Sequence, residues 1–157
     1  AKFRKGHFEG VLDVMNKLTK IVKPKKIFMG EKDFQQLYLV KKELEKKYKT
    51  KVIPCKTIRD KDNVALSSRN LLLNKSNLTI AAKIYETLVD IKKNTKNKKN
   101  IPSFLNLKKK ELKNNYKIKI DYLELRNIKN LKLSNTKNNS RLFIAYYLKN
   151  VRLIDNL

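Results

Sequence analysis

The chain has 157 residues, 41% of them hydrophobic, with 39 Lys and Arg against 14 Asp and Glu for a net charge of +25. Apolar residues occur along its whole length, which excludes wholesale disorder, and no apolar run approaches the roughly 20 residues that span a bilayer. A lone Cys55 excludes an intrachain disulfide framework, and Ala1–Gly6 lacks the apolar core of a secretory signal, so a cytoplasmic protein is expected.

Phe8, Val11, Leu12, Met15, Leu18 and Val22 recur at helical spacing, and Pro24 lies just beyond, where a helix stops. Lys26–Met29, closed by Gly30, reads as a short buried strand. Asp33 with Gln36 three residues on resembles a capping box, and behind it Leu37, Val40, Leu44 and Tyr48 form the stripe of a second helix. Lys51–Pro54 reads as another strand, with Pro54 at its close. Thr57–Asn63 reads as loop, in which Asn63 is suited to a positive backbone angle. Strand, helix, strand with short connections is the pattern of a parallel α/β layer, and two parallel strands are too few to stand alone.

After Asn70 the pattern changes. Leu78, Ala81, Ala82, Tyr85, Leu88 and Val89 form a helical stripe beginning near Asn74, and Asn94–Asn100 is wholly polar. A further helix is expected from Pro102 to Asn114. Strands follow at Ile118–Tyr122, Arg141–Leu148 and Val151–Ile154, the last two joined by a two-residue Lys149–Asn150 turn. The expected fold class is α/β: a partial Rossmann-like parallel layer over 1–70, then a small α+β domain over 71–157 made of a helix pair and an antiparallel sheet.

The excess charge comes from 33 lysines and only six arginines, accompanied by 18 asparagines. Phosphate-clamping and base-reading surfaces rely on the rigid fork of Arg, whereas scattered Lys suits a solvated surface. A basic nucleic-acid-binding module, or a repurposed non-catalytic one, is the alternative to an enzyme. His7 is the only histidine, so no His-based metal cluster is available, and Gly-rich phosphate-loop fingerprints are absent. Two segments suit anionic ligands. Gly30-Glu31-Lys32-Asp33 sits where a strand ends and a helix starts, the edge at which open α/β sheets bind ligands and a helix N-terminus receives phosphate. Leu66-Ser67-Ser68-Arg69-Asn70 places two hydroxyls beside a guanidinium. Plain capping by Asp33 and an ordinary loop are the competing readings of these two segments.

Taken with Phe3-Arg4-Lys5-Gly6-His7-Phe8-Glu9-Gly10-Val11, the runs Gly30-Glu31-Lys32-Asp33-Phe34-Gln35-Gln36-Leu37 and Ala65-Leu66-Ser67-Ser68-Arg69-Asn70 resemble the pantoate–β-alanine ligase family. The closing Val151–Asn156 resembles that family's last strand. The chain departs from the pattern at Lys5, where Pro is usual, and at Glu9, where a basic residue is common. The resemblance implies an ATP-dependent ligase of the nucleotidyltransferase superfamily that joins pantoate to β-alanine through pantoyl adenylate, with Mg²⁺ accompanying ATP. It implies ATP contacts at Gly30, Glu31, Lys32, Asp33, Ile58, Leu66, Ser67, Ser68 and Arg69, a pantoate contact at Gln36, and catalytic roles for Lys32, Ser67, Ser68 and Arg69. Family members also carry a half with a His-x-Gly-His motif, which residues 1–157 do not contain. The resemblance therefore implies a C-terminal portion, inactive alone, with the family homodimer formed largely through the other half, and neither nucleic acid nor membrane as partner.

Overall fold

The computed structural model describes residues 6–95, 98 and 100–157. Of the segments singled out above, Phe3, Arg4 and Lys5, together with Lys96, Asn97 and Lys99 of the polar stretch, lie outside the described residues. The chain divides into two compact units, Ala1–Thr57 and Ile58–Leu157. The division thus falls ahead of residues 58–70, which the pattern of elements had grouped with the parallel layer. Val64 and Leu73 account for this, because both are buried in the hydrophobic core of the second unit.

The first unit builds on helix α1 (His7–Val22), strand β1 (Lys26–Gly30), helix α2 (Phe34–Lys47) and strand β2 (Lys51–Cys55). The strands pair in parallel, Ile27 with Val52 and Gly30 with Cys55. Leu37, Val40 and Leu44 of α2 bury themselves against Val52, with Val11, Leu12, Met15, Ile27, Met29 and Tyr48 around them. The stripe expected on α2 is therefore the core-facing one. On α1 the expected face is only half right. Leu18 and Val22 are exposed, whereas Thr19 is buried and its hydroxyl donates to the Met15 carbonyl at 2.7 Å. A hydroxyl satisfied within its own helix loses little on burial, so Thr19 takes an inward position that its polarity disguised.

β1 is expected as a buried strand, and within residues 1–157 one of its faces is covered. Burial alternates along it, with Ile27 and Met29 turned to the helices and Phe28 67% exposed on the other face. Short apolar runs carry no period that separates one-sided from two-sided burial.

In the second unit, helix α3 (Lys75–Asn94) starts at Asn74, whose side chain accepts from the Asn77 N–H at 2.9 Å. Helix α4 (Ile101–Tyr116) starts at Asn100, which accepts from Ser103 N–H at 3.1 Å, with Pro102 in the first turn. Three antiparallel strands follow, β3 (Lys119–Asn127), β4 (Ser140–Leu148) and β5 (Val151–Asn156), in the order β3-β4-β5. Leu148 pairs with Val151 across the Lys149–Asn150 turn, and Lys149 takes the left-handed φ of 52° there. The inward face of α3 is set by Ala81, Ile84, Leu88 and Ile91, while Val89 is exposed. This helix pair and antiparallel sheet are the expected α+β unit. Among the described residues no helix is long and apolar enough to cross a membrane.

Candidate functional site

The first candidate segment leaves the end of β1 and enters α2 through a short 3₁₀ turn, Glu31–Asp33. Gly30 is extended (φ −69°, ψ 135°), so no backbone strain demands glycine, and a Cβ built there would meet nothing within 4 Å. The space over this turn is open. Asp33 precedes α2 but its carboxylate makes no capping hydrogen bond. The capping box expected from Asp33 and Gln36 is absent because the 3₁₀ turn gives Asp33 φ −95° and ψ 51° in place of the extended backbone a capping side chain needs. Lys32 and Gln36, four apart around the start of α2, are both half-buried, and Leu37 beside them is fully buried.

The second segment begins with a tight hairpin. Leu66 N–H donates to the Ile58 carbonyl and Asp60 N–H to the Val64 carbonyl, each at 3.0 Å, and Arg59 bridges Ala65. Asp60 Oδ1 accepts from the N–H groups of Asp62 and Val64, and Asn63 at the tip takes φ 65°, the angle its amide side chain tolerates. The polar run read as plain loop is thus an ordered turn that presents the next residues. Ser67 ends it and caps a 3₁₀ turn, Ser68–Leu72, its Oγ accepting from Arg69 N–H at 3.2 Å. Leu66, Ser68 and Arg69 are exposed, as is Ile58. Arg69 Nη1 donates to the Arg152 carbonyl at 3.0 Å. Asn70 Nδ2 donates to the Ala65 carbonyl, while its Oδ1 is buried with no hydrogen-bond partner.

The candidate residues therefore fall into two groups on two units. Gly30, Glu31, Lys32, Asp33 and Gln36 share one turn of the first, and Ile58, Leu66, Ser67, Ser68 and Arg69 share one hairpin and its exit in the second. Four of the five arginines of the second unit pair within it. Arg59 pairs with Asp155, Arg152 with Asp121, Arg126 with Glu124, and Arg141 donates to Asn156 Oδ1.

The family model for pantoate-beta-alanine ligase matches residues 1–157. The chain belongs to that family. Pantothenate synthetase of Flavobacterium psychrophilum is 38% identical over 162 residues, covering 99% of this chain and 56% of its own length. That of Francisella tularensis subsp. mediasiatica is 38% identical over 157 residues, with 99% and 51% covered. The crystal structure of pantothenate synthetase from Thermus thermophilus superposes with a TM-score of 0.89 at 29% identity, covering 99% of this chain and 57% of that one. The Francisella tularensis enzyme, solved as a complex with beta-gamma ATP and beta-alanine, superposes with a TM-score of 0.73 at 36% identity, covering 99% and 52%. The chain thus spans about half the length of these relatives.

Arg59, Asn70 and Asp155 carried no individual role in the sequence, although Asp155 lies in the Val151–Asn156 run. Asn70 closes the Leu-Ser-Ser-Arg-Asn run and was legible there. The Arg59–Asp155 pair joins residues 96 apart, and no local spacing announces it.

Proposed function

We propose that residues 1–157 carry the phosphate- and pantoate-handling part of an ATP-dependent ligase that condenses pantoate with β-alanine, giving pantothenate, AMP and pyrophosphate. The observation that carries this reading is the Gly30–Asp33 turn at the carboxyl end of a parallel strand, in a chain matched to the family over its full length. Neither strain nor packing requires glycine at position 30, and Asp33 does not cap. A ligand above the turn explains both.

In the first step the pantoate carboxylate attacks the α-phosphorus of ATP and pyrophosphate departs. The carboxylate is already ionised near neutral pH, so this step needs no general base. Negative charge grows on the α-phosphoryl group and the leaving pyrophosphate, and Lys32, Ser67, Ser68 and Arg69 supply donors to it. Gly30, Glu31 and Asp33 line the nucleotide, Ile58 lies on its adenine side, and Leu66–Arg69 closes over the triphosphate. The amide of Gln36 donates to pantoate without neutralising the nucleophile. In the second step the β-alanine amine attacks the acyl carbon, the acyl–phosphate bond breaks and AMP leaves. Mg²⁺ would accompany ATP as part of the substrate and would offset charge on its phosphates. No group of three or more His, Cys, Asp or Glu among the described residues could hold a metal ion. The working protein is cytoplasmic and a homodimer. The commitment of Arg59, Arg126, Arg141 and Arg152 to internal partners argues against a nucleic-acid-reading surface.

The test is a chimera joining residues 1–157 to the portion of the Flavobacterium psychrophilum relative that they do not match. It is expected to show pantoate-dependent ATP–pyrophosphate exchange, and pantothenate once β-alanine is added, whereas residues 1–157 alone show neither. A chimera that melts cooperatively yet exchanges no pyrophosphate overturns the reading. Binding to duplex DNA that falls steeply with salt and ignores pantoate would favour the basic-module alternative.

A further inference from the structure

The hairpin that presents Ser67–Arg69 is tied to the last strand by side chains at both ends. At its base, Arg59 Nη1 lies 2.7 Å from Asp155 Oδ2 and Nη2 lies 2.8 Å from Oδ1, a two-bond fork. Nη1 also donates to the Asn63 carbonyl at the hairpin tip, at 3.0 Å, and the guanidinium lies 4.2 Å from the centroid of the Tyr85 ring. Both members of the pair are largely buried, at 16% and 9% side-chain exposure. At its exit, Arg69 donates to the backbone carbonyl of Arg152, which lies in β5 with Asp155. Arg152 is itself held, its Nε 2.8 Å from Oδ2 of Asp121, at the irregularity in β3 between Ile120 and Tyr122. β5 therefore sets the position of the hairpin and of the Arg69 side chain together.

We propose that Asp155 is a positioning residue for adenylation: through Arg59 it orients the 58–66 hairpin so that Ser67, Ser68 and Arg69 meet the triphosphate in one geometry. The inference rests on the ligase reading above. A buried ion pair is seldom better for stability than apolar side chains of the same volume. What the planar Arg fork adds is direction, since two parallel hydrogen bonds fix the plane of the guanidinium and the backbone behind it. The residues needing that direction are exposed, so packing does not hold them, and the hairpin is what aims them. A catalytic group displaced by about 1 Å loses on the order of 10²-fold in rate.

Two measurements test this. In the 157-residue chain, Asp155→Asn is expected to speed hydrogen exchange at the Leu66 and Val64 amides, and Asp155→Glu to restore part of their protection. In the chimera, Asp155→Asn is expected to lower kcat/KM for ATP in the exchange reaction about 10²-fold, with the KM for pantoate unchanged and Asp155→Glu intermediate. Arg59→Lys keeps the charge but loses the fork, and carries the same forecast should Asp155→Asn fold poorly. Wild-type amide exchange in both Asp155→Asn and Arg59→Lys overturns the proposal. So does a chimera whose ATP kinetics are unchanged while its melting temperature falls, which makes the pair structural only. A chimera that melts cooperatively yet is silent with Asp155 intact overturns the ligase reading instead, and amide exchange in the chain alone then decides whether Asp155 holds the hairpin.

Discussion

Replacing Lys32 by alanine removes an ammonium group from the turn between β1 and α2 and leaves the backbone of that turn in place. If Lys32 stabilises charge on the transferring phosphoryl group, its loss lowers the adenylation rate about 10²–10³-fold, or roughly 2.7–4 kcal/mol of transition-state stabilisation. Stability should hardly change. Lys32 is only half-buried and lies outside the cluster of Leu37, Val40, Leu44 and Val52, so the folding cost stays within about 1 kcal/mol. Asp33→Ala is the control. Asp33 is exposed and makes no cap hydrogen bond, so its removal should cost less than about 0.5 kcal/mol, below the ~1 kcal/mol expected of a true N-cap. Pantoate-dependent ATP–pyrophosphate exchange in the chimera reads the first effect, and thermal melting reads the second. A Lys32→Ala chimera that exchanges at the wild-type rate removes the residue from the active site and refutes the assignment of the whole turn. A melting loss in Asp33→Ala as large as that of a capping residue would show that the turn serves α2 after all.

Gln36→Ala should raise the KM for pantoate while leaving that for ATP near its original value, because the amide addresses the acid and not the nucleotide; steady-state kinetics in each substrate separates the two. Asn74→Ala should destabilise the second unit by about 1 kcal/mol, since its side chain caps α3 through the Asn77 amide, and a shift of the urea midpoint at constant m-value measures it. Burial pushes the Tyr146 phenol well above its ordinary pKa, and the Asp155 carboxylate pushes it further against the opposing pull of Arg59. The folded state therefore keeps this proton when the unfolded chain loses it, so stability falls as pH rises above about 10, by up to about 1.4 kcal/mol per pH unit. Tyr146→Phe should flatten part of that alkaline decline in urea titrations between pH 8 and 11.

The features legible from sequence are those written in short-range chemistry. Asn74 marks the start of α3 because a short polar side chain competes locally for backbone N–H groups, Pro102 marks the first turn of α4 because its φ is preset, and Asn63 marks a positive φ because its amide tolerates one. The run from Gly30 to Leu37 carries the family, and with it an expectation for each site residue. Tertiary structure decided what depends on register and on distant neighbours. Which residues of β1 meet the helices rests on register, and Ile27 and Met29, not Phe28, take that side. Thr19 is buried because its hydroxyl is satisfied inside α1, not because it is apolar. The hairpin at 58–66 belongs to the second unit because Val64 is buried in that core and Arg59 reaches Asp155. That pairing exists only once β4 and β5 are in register with Ile144 opposite Asp155. Charge pairs between residues so far apart leave no periodic trace in a sequence, since each partner's position is set by folding of everything between them.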